Sequence, residues 1–151
     1  SCFKKVAIQQ FFSMTRINLV DPSELSNQHL VAEYREIFMV GSALQRSIKS
    51  KHWEVVKRNL PQTFTLNTGH VKFFYNKGMY LHKRYKLLVQ EMKRRGMKSD
   101  PDRKFKKNQF PKNFYKDWSP NPKDIEIIRQ RINRDDYRLD EPVVGSQETL
   151  E

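Results

Sequence analysis

The sequence predicts an all-α fold, a small single domain of about three main helices joined by long irregular connections. Apolar residues recur at three- and four-residue steps in three separate stretches, at 30–48, 71–92 and 125–132. Helix-start signals stand before each stretch, and a glycine closes the middle one. The chain has 151 residues, 37% of them hydrophobic and 30% charged, which suits one domain with a modest core rather than a disordered chain.

Residues 1–13 (SCFKKVAIQQFFS) hold too short an apolar run for a secretory signal and no small-residue cleavage site before Met14. They read as translated sequence upstream of a start at Met14, as a removable leader, or as an extension packed on the domain. Asp21-Pro22-Ser23-Glu24 then offers a capping oxygen, a proline at the first helical position and an acid three residues after the cap. Ser26 or Asn27 offers a second start. Leu30, Ile37, Val40, Leu44 and Ile48 carry the apolar stripe of a helix running to about Lys49, and Gln28, His29, Ala32, Arg35 and Glu36 share a different face that is not core. Ser50 to Thr63 has weak periodicity and reads as an irregular surface linker.

Asn67 or Thr68 can cap the middle helix, whose stripe is Val71, Phe74, Leu81, Tyr85, Leu88 and Met92. Lys93-Arg94-Arg95 and Gly96 make a natural C-terminus. The other face of this helix carries Lys72, Lys83, Arg84 and Lys86. Gly78 within it costs about 1 kcal/mol against alanine, so it marks either close packing or a tolerated defect. Residues 97–118 interleave cations with Phe105, Phe110, Phe114, Tyr115 and Trp118; most of these rings are expected to complete the core, although the same pattern suits phosphate binding with base stacking. Asn121-Pro122 starts the last helix, with Ile125, Ile128 and Ile132 as its stripe. The polar ending, 139–151, reads as a disordered tail.

Charge narrows the function classes. The net charge is +12, and between Arg46 and Lys116 twenty Lys and Arg face four acids, a surplus of 16. Such a segment is an electrostatic footprint for nucleic acid or an anionic surface, or serves solubility alone. No apolar run approaches the roughly 20 residues that span a bilayer, and no basic segment is paired with a wide apolar face, which argues against membranes. The lone cysteine, Cys2, leaves no internal disulfide and no cysteine metal cage, so a reducing, cytoplasmic setting is the simplest. His70 and His82, twelve residues apart, fit no metal-ligand pattern and are expected to be packed or solvated. None of these residue patterns asks for a metal or a cofactor.

Met14-Thr15-Arg16-Ile17-Asn18-Leu19, then Ser23-Glu24-Leu25, Asn27-Gln28-His29-Leu30 and Ala32-Glu33-Tyr34-Arg35-Glu36, with the later run Thr68 to Tyr75 (TGHVKFFY), closely resemble the pyrimidine-dimer DNA glycosylase/AP lyase family, the phage-type endonuclease V enzymes. The resemblance implies base-excision repair of double-stranded DNA containing pyrimidine dimers or abasic sites, by a monomer of bacterial or viral origin. It implies Thr15 as the nucleophile through its free α-amino group and Glu36 as the catalytic carboxylate. Arg16 and Arg35 match arginines that line the site and hold phosphates, Gln28 and His29 match residues beside the lesion, and Arg131 matches an arginine that contacts DNA. Lys72, Lys83 and Arg84 are added as DNA contacts from the basic face. Met39 and Asp135 stand where the family often has an arginine and a lysine, which implies an altered affinity or lesion preference.

The family pattern begins at Met14 and a small residue follows, so the upstream reading of residues 1–13 is favoured, with the domain spanning 14–138. With Thr15 acylated by Ser13-Met14 there is no free amine, and the chain would be a module that binds distorted DNA without cutting it. A basic helical packaging protein is the rival from another class; Glu36 together with Arg16 and Arg35 argues against it.

Overall fold

The computed structural model describes residues 16–140, the last five of them as backbone only, and they form a helical domain without strands among the described residues. The helices are α1 (Asn27–Glu36), α2 (Phe38–Ile48), α3 (Trp53–Arg58), α4 (His70–Phe73), α5 (Gly78–Arg94) and α6 (Pro122–Asp140). Short 3-10 turns lie at Pro22–Glu24, Lys107–Gln109 and Lys112–Phe114.

The two start signals near the N-terminus divide the work. Asp21 accepts a hydrogen bond from the Ser23 amide, but the turn ends after Glu24. The α-helix starts only when Ser26 Oγ accepts from the His29 amide at 3.2 Å. Where one helix to Lys49 is expected, α1 and α2 are interrupted at Ile37, whose amide still donates to the Glu33 carbonyl. Leu30, Ile37, Val40 and Leu44 are fully buried, as their spacing demands. Each such side chain contributes about 1.5–3 kcal/mol, against about 0–1 kcal/mol for an exposed ion pair, so the apolar stripe positions this pair of helices.

The linker expected at 50–63 contains α3, because Trp53 finds a ring partner in Phe114, 5.8 Å away. The middle helix is likewise two elements, with Phe74 to Lys77 between α4 and α5. Gly78 therefore opens α5 instead of lying inside it. A Cβ at Gly78 would sit 2.7 Å from Phe110 Cγ, so the glycine marks close packing. At the other end, Gly96 has φ +78° and the amides of Gly96 and Met97 return to the carbonyls of Lys93 and Met92, which closes α5 where the sequence places the stop.

α5 packs on α1 through Leu81, Leu88 and Met92, and the loop rings Phe110 and Phe114 are buried with them. Asn121 and Asp124 cap α6 reciprocally: the Asp124 amide donates to Asn121 Oδ1 at 2.8 Å and the Asn121 amide to Asp124 Oδ2 at 3.3 Å. Ile128 and Ile132 then bury the α6 stripe. The helix runs to Asp140, two residues into the segment expected as tail; the rest of that tail and residues 1–15 lie outside the described residues.

A candidate active site at the start of the domain

Three acids on α1 and α6 organise the site, each in a different environment. Glu33 is 1% exposed and bound by Arg84, with Arg84 Nε to Oε2 at 2.7 Å and Nη2 to Oε1 at 3.0 Å. The same guanidinium donates through Nη1 to the Val20 carbonyl, and the Asn18 amide donates to Glu33 Oε1 at 3.3 Å. A buried carboxylate without such a partner would be strongly destabilising. Arg84, expected on the open basic face, is 3% exposed and committed to this pair, so its assignment to DNA is corrected: its guanidinium is aimed into the core.

Glu36, one turn further along α1, is half-buried. Burial pushes its carboxyl up to about 7, with Glu33 adding to the rise, while the Arg16 amide and guanidinium pull it back down. Arg16, whose backbone and charge both act on Glu36, is one residue from Thr15 in the chain. Thr15 itself lies outside the described residues.

Asp135 on α6 is 4% exposed and is the third acid. Arg16 Nη1 donates to its Oδ2 at 2.6 Å, His29 Nε2 lies 3.7 Å from the same oxygen, and Arg131 Nε lies 4.0 Å from Oδ1. His29 Nδ1 is in turn 3.0 Å from Ser26 Oγ. Three side chains that the sequence assigns to DNA, spread over 115 positions, therefore meet at one carboxylate.

Gln28 and Arg35 are exposed on α1. Arg35 borders a cleft of about 580 Å³ with Tyr34, Lys98, Asp100 and Arg103. Lys72 is exposed beside a second cleft that it shares with Arg46 and His70. Lys83 is exposed and paired with Asp117 at 2.6 Å. The structure thus gathers Arg16, His29, Arg131 and Glu36, places Gln28 and Arg35 on the same helix as Glu36, and leaves Lys72 and Lys83 on other elements. Among the described residues no three His, Cys, Asp or Glu side chains are grouped as a metal would require. Nor is any described helix long and apolar enough to cross a membrane.

Sequence reasoning gave no site role to Glu33, to His70, which it read as packed or solvated, or to Asp135, which it read as a departure from a basic residue. His70 is 4% exposed; its Nδ1 is 2.7 Å from the Thr65 carbonyl and its Nε2 accepts from the Ile17 amide at 2.9 Å. A signal for Glu33 and Arg84 existed. Glu33 stands three residues after Leu30 and four before Ile37, and Arg84 three after Leu81 and four before Leu88, so spacing puts both on core stripes with opposite charge.

A half-buried carboxylate beside Arg16, in a small helical domain with a surplus of positive charge, is an arrangement suited to acid–base chemistry on an anionic polymer. The comparison with known families specifies which: residues 14–105, more than half of the chain, match the pyrimidine dimer DNA glycosylase family, and the chain belongs to it. DNA carrying pyrimidine dimers is accordingly its substrate class. Arg131 and Asp135 lie beyond the matched span.

Proposed function

We propose that the protein removes the base at a pyrimidine dimer through the α-amine of Thr15 and then nicks the strand as an AP lyase. The amine nitrogen bonds to the sugar C1′, and the C1′–base bond breaks with its electron pair leaving on the base, which takes up a proton. Opening of the C1′–O4′ bond gives an iminium ion. That cation acidifies the C2′ proton; its removal expels the 3′ phosphate by β-elimination, and water then hydrolyses the imine to return the amine. An α-amine has a reference pKa of roughly 8 against about 10.4 for lysine, so more of it is neutral and nucleophilic at pH 7.

The observation that supports this reading best is a half-buried Glu36 whose carboxyl is pushed up to about 7 by burial and pulled back by Arg16, the residue that follows Thr15 in the sequence. A group with that pKa can both stabilise the sugar cation when ionised and carry a proton when neutral. Arg16, Arg35 and Arg131 supply phosphate contacts, with Gln28 and His29 beside the lesion. Dimer-containing duplex is already distorted, so extruding a nucleotide costs less there than in intact DNA. The activity requires a free Thr15 amine; with that nitrogen in an amide the domain binds and does not cut. The protein is expected to act as a monomer without a cofactor.

Single-turnover cleavage tests this. In Glu36→Gln the rate should fall by about a hundredfold or more while dimer-DNA binding survives. The sign of the pH effect is fixed: Glu36 is mostly protonated at pH 6 and mostly ionised at pH 8, so the wild-type rate should rise through an inflection near 7 that the Gln variant lacks. Full activity in Glu36→Gln would remove the carboxylate from the mechanism.

A further inference from the structure

His70 holds the backbone that leads into the site, and its hydrogen bonds fix its chemical form. The Thr65 carbonyl can only accept, so Nδ1, 2.7 Å away, carries the proton; the Ile17 amide can only donate, so Nε2, 2.9 Å away, is the bare nitrogen. The imidazole is therefore neutral. Burial is the main reason it stays so at pH values below the ordinary histidine range, and Arg16 acts in the same direction, whereas the Thr65 carbonyl and Glu33 favour the proton. Arg46 from α2 and Lys72 and Tyr75 from the α4 end border the same cleft as His70.

The ring itself is enclosed by aromatic neighbours. It sits edge-on to Phe64 and Phe74, at 5.5 and 5.2 Å between centroids. Gly69, which starts α4, has φ +98°, and a side chain there would press on Pro61 at 3.2 Å. The entering chain is thus held at the Ile17 amide by His70 on α4, one residue after Arg16, which lowers the carboxyl of Glu36 on α1. Thr15 is two residues before Ile17, at most about 7 Å of chain away.

We infer that His70 is a positioning residue for the N-terminal amine: the neutral, Nδ1-protonated ring latches the Ile17 backbone, the anchor two residues after Thr15, and protonation of the ring undoes the latch. A doubly protonated imidazole has no lone pair to offer the Ile17 amide and would turn one N–H against another. The inference rests on the amine mechanism proposed above and names a group that touches neither substrate nor the reacting atoms.

Two isosteric variants separate this from a merely structural role. Glutamine can return an acceptor near the position of Nε2, whereas asparagine returns only a donor near Nδ1. With protein begun at Thr15 and abasic-site DNA at saturation, borohydride trapping of the imine should slow by about a hundredfold in His70→Asn, the cost of a displacement of about 1 Å. DNA affinity should be unchanged, and His70→Gln should restore most of the rate. Wild type should also lose rate more steeply than His70→Gln toward acid pH, below the ordinary histidine range, because the amide does not titrate.

In the full 151-residue chain, nitrogen NMR of His70 should show a protonated Nδ1 and a bare Nε2, with the Ile17 amide exchanging faster once the ring is protonated. The NMR arm does not depend on how well the variants fold. The inference is overturned by the opposite tautomer, by equal trapping in His70→Asn, or by Asn and Gln variants that lose rate and affinity together with the same acid profile as wild type. If wild type itself forms no adduct, it is the amine mechanism that fails, and the positioning role falls with it.

Discussion

Glu33 and Glu36 stand three residues apart on one helix and have opposite fates. Glu33 is sealed against Arg84, and Glu36 is half-buried with its proton affinity raised. The resemblance singled out Glu36, while the pairing of Glu33 with Arg84 came only with the fold. The sequence reading put Arg84 with Lys72, Lys83 and Lys86 on an open basic face, and the structure shows why that fails for Arg84: a cation on an apolar stripe is there for a buried acid. Arg84→Met should therefore destabilise the fold by about 3–5 kcal/mol, because it leaves Glu33 uncompensated. Adding Glu33→Leu should recover much of that loss, as chemical denaturation of the single and double variants would reveal. A single variant as stable as wild type would mean that the pair is not what holds α1 to α5.

At the scale of elements, the stripes on α1, α2, α5 and α6 were legible because burial acts on every third or fourth residue and leaves its mark in the sequence. Breaks were not. Nothing in the periodicity of 71–92 announces the turn at Phe74 to Lys77, since Phe74 is fully buried whether it ends one helix or continues through another. The short helix α3 was missed because its anchor, Trp53 on Phe114, is a contact between residues 61 positions apart. Gly78 gave half of its meaning away: spacing announced a special site, and the identity of its neighbour, Phe110, came only with the fold. Gly78→Ala should cost about 1–3 kcal/mol, since the new methyl meets a packed ring 2.7 Å away, despite alanine being the better helix former. A thermal melt in which the variant is as stable as wild type or more so would show that Phe110 can move aside.

Across the whole molecule, the surplus of 16 positive charges in residues 46–116 overstates the surface available to DNA, because some of its cations are paired with acids outside that segment, Arg84 with Glu33 and Lys83 with Asp117. The convergence of Arg16, His29 and Arg131 on Asp135 was not visible in the sequence, where Asp135 reads only as a departure from a basic residue. In the fold it ties the first described residue to the last helix, 119 positions apart. Affinity for duplex DNA should still fall with salt, at about 0.9 in log K per log salt for each phosphate contact. A flat response in a titration from low to moderate salt would exclude phosphate contacts as the source of binding.

The amine is the claim on which the chemistry stands, and borohydride trapping with peptide mapping reads it directly. Protein begun at Thr15 should form a reducible adduct with dimer-containing or abasic DNA, mapped to the Thr15 nitrogen. The same chain with Ser1 to Met14 retained should not, because an amide nitrogen shares its lone pair with the carbonyl. Lys77 is the internal amine to watch, since burial and then Lys116 bring its pKa down to about 8, near that of an α-amine. Equal trapping by both forms, with the adduct on Lys77 or another lysine, would contradict the assignment of Thr15 as nucleophile.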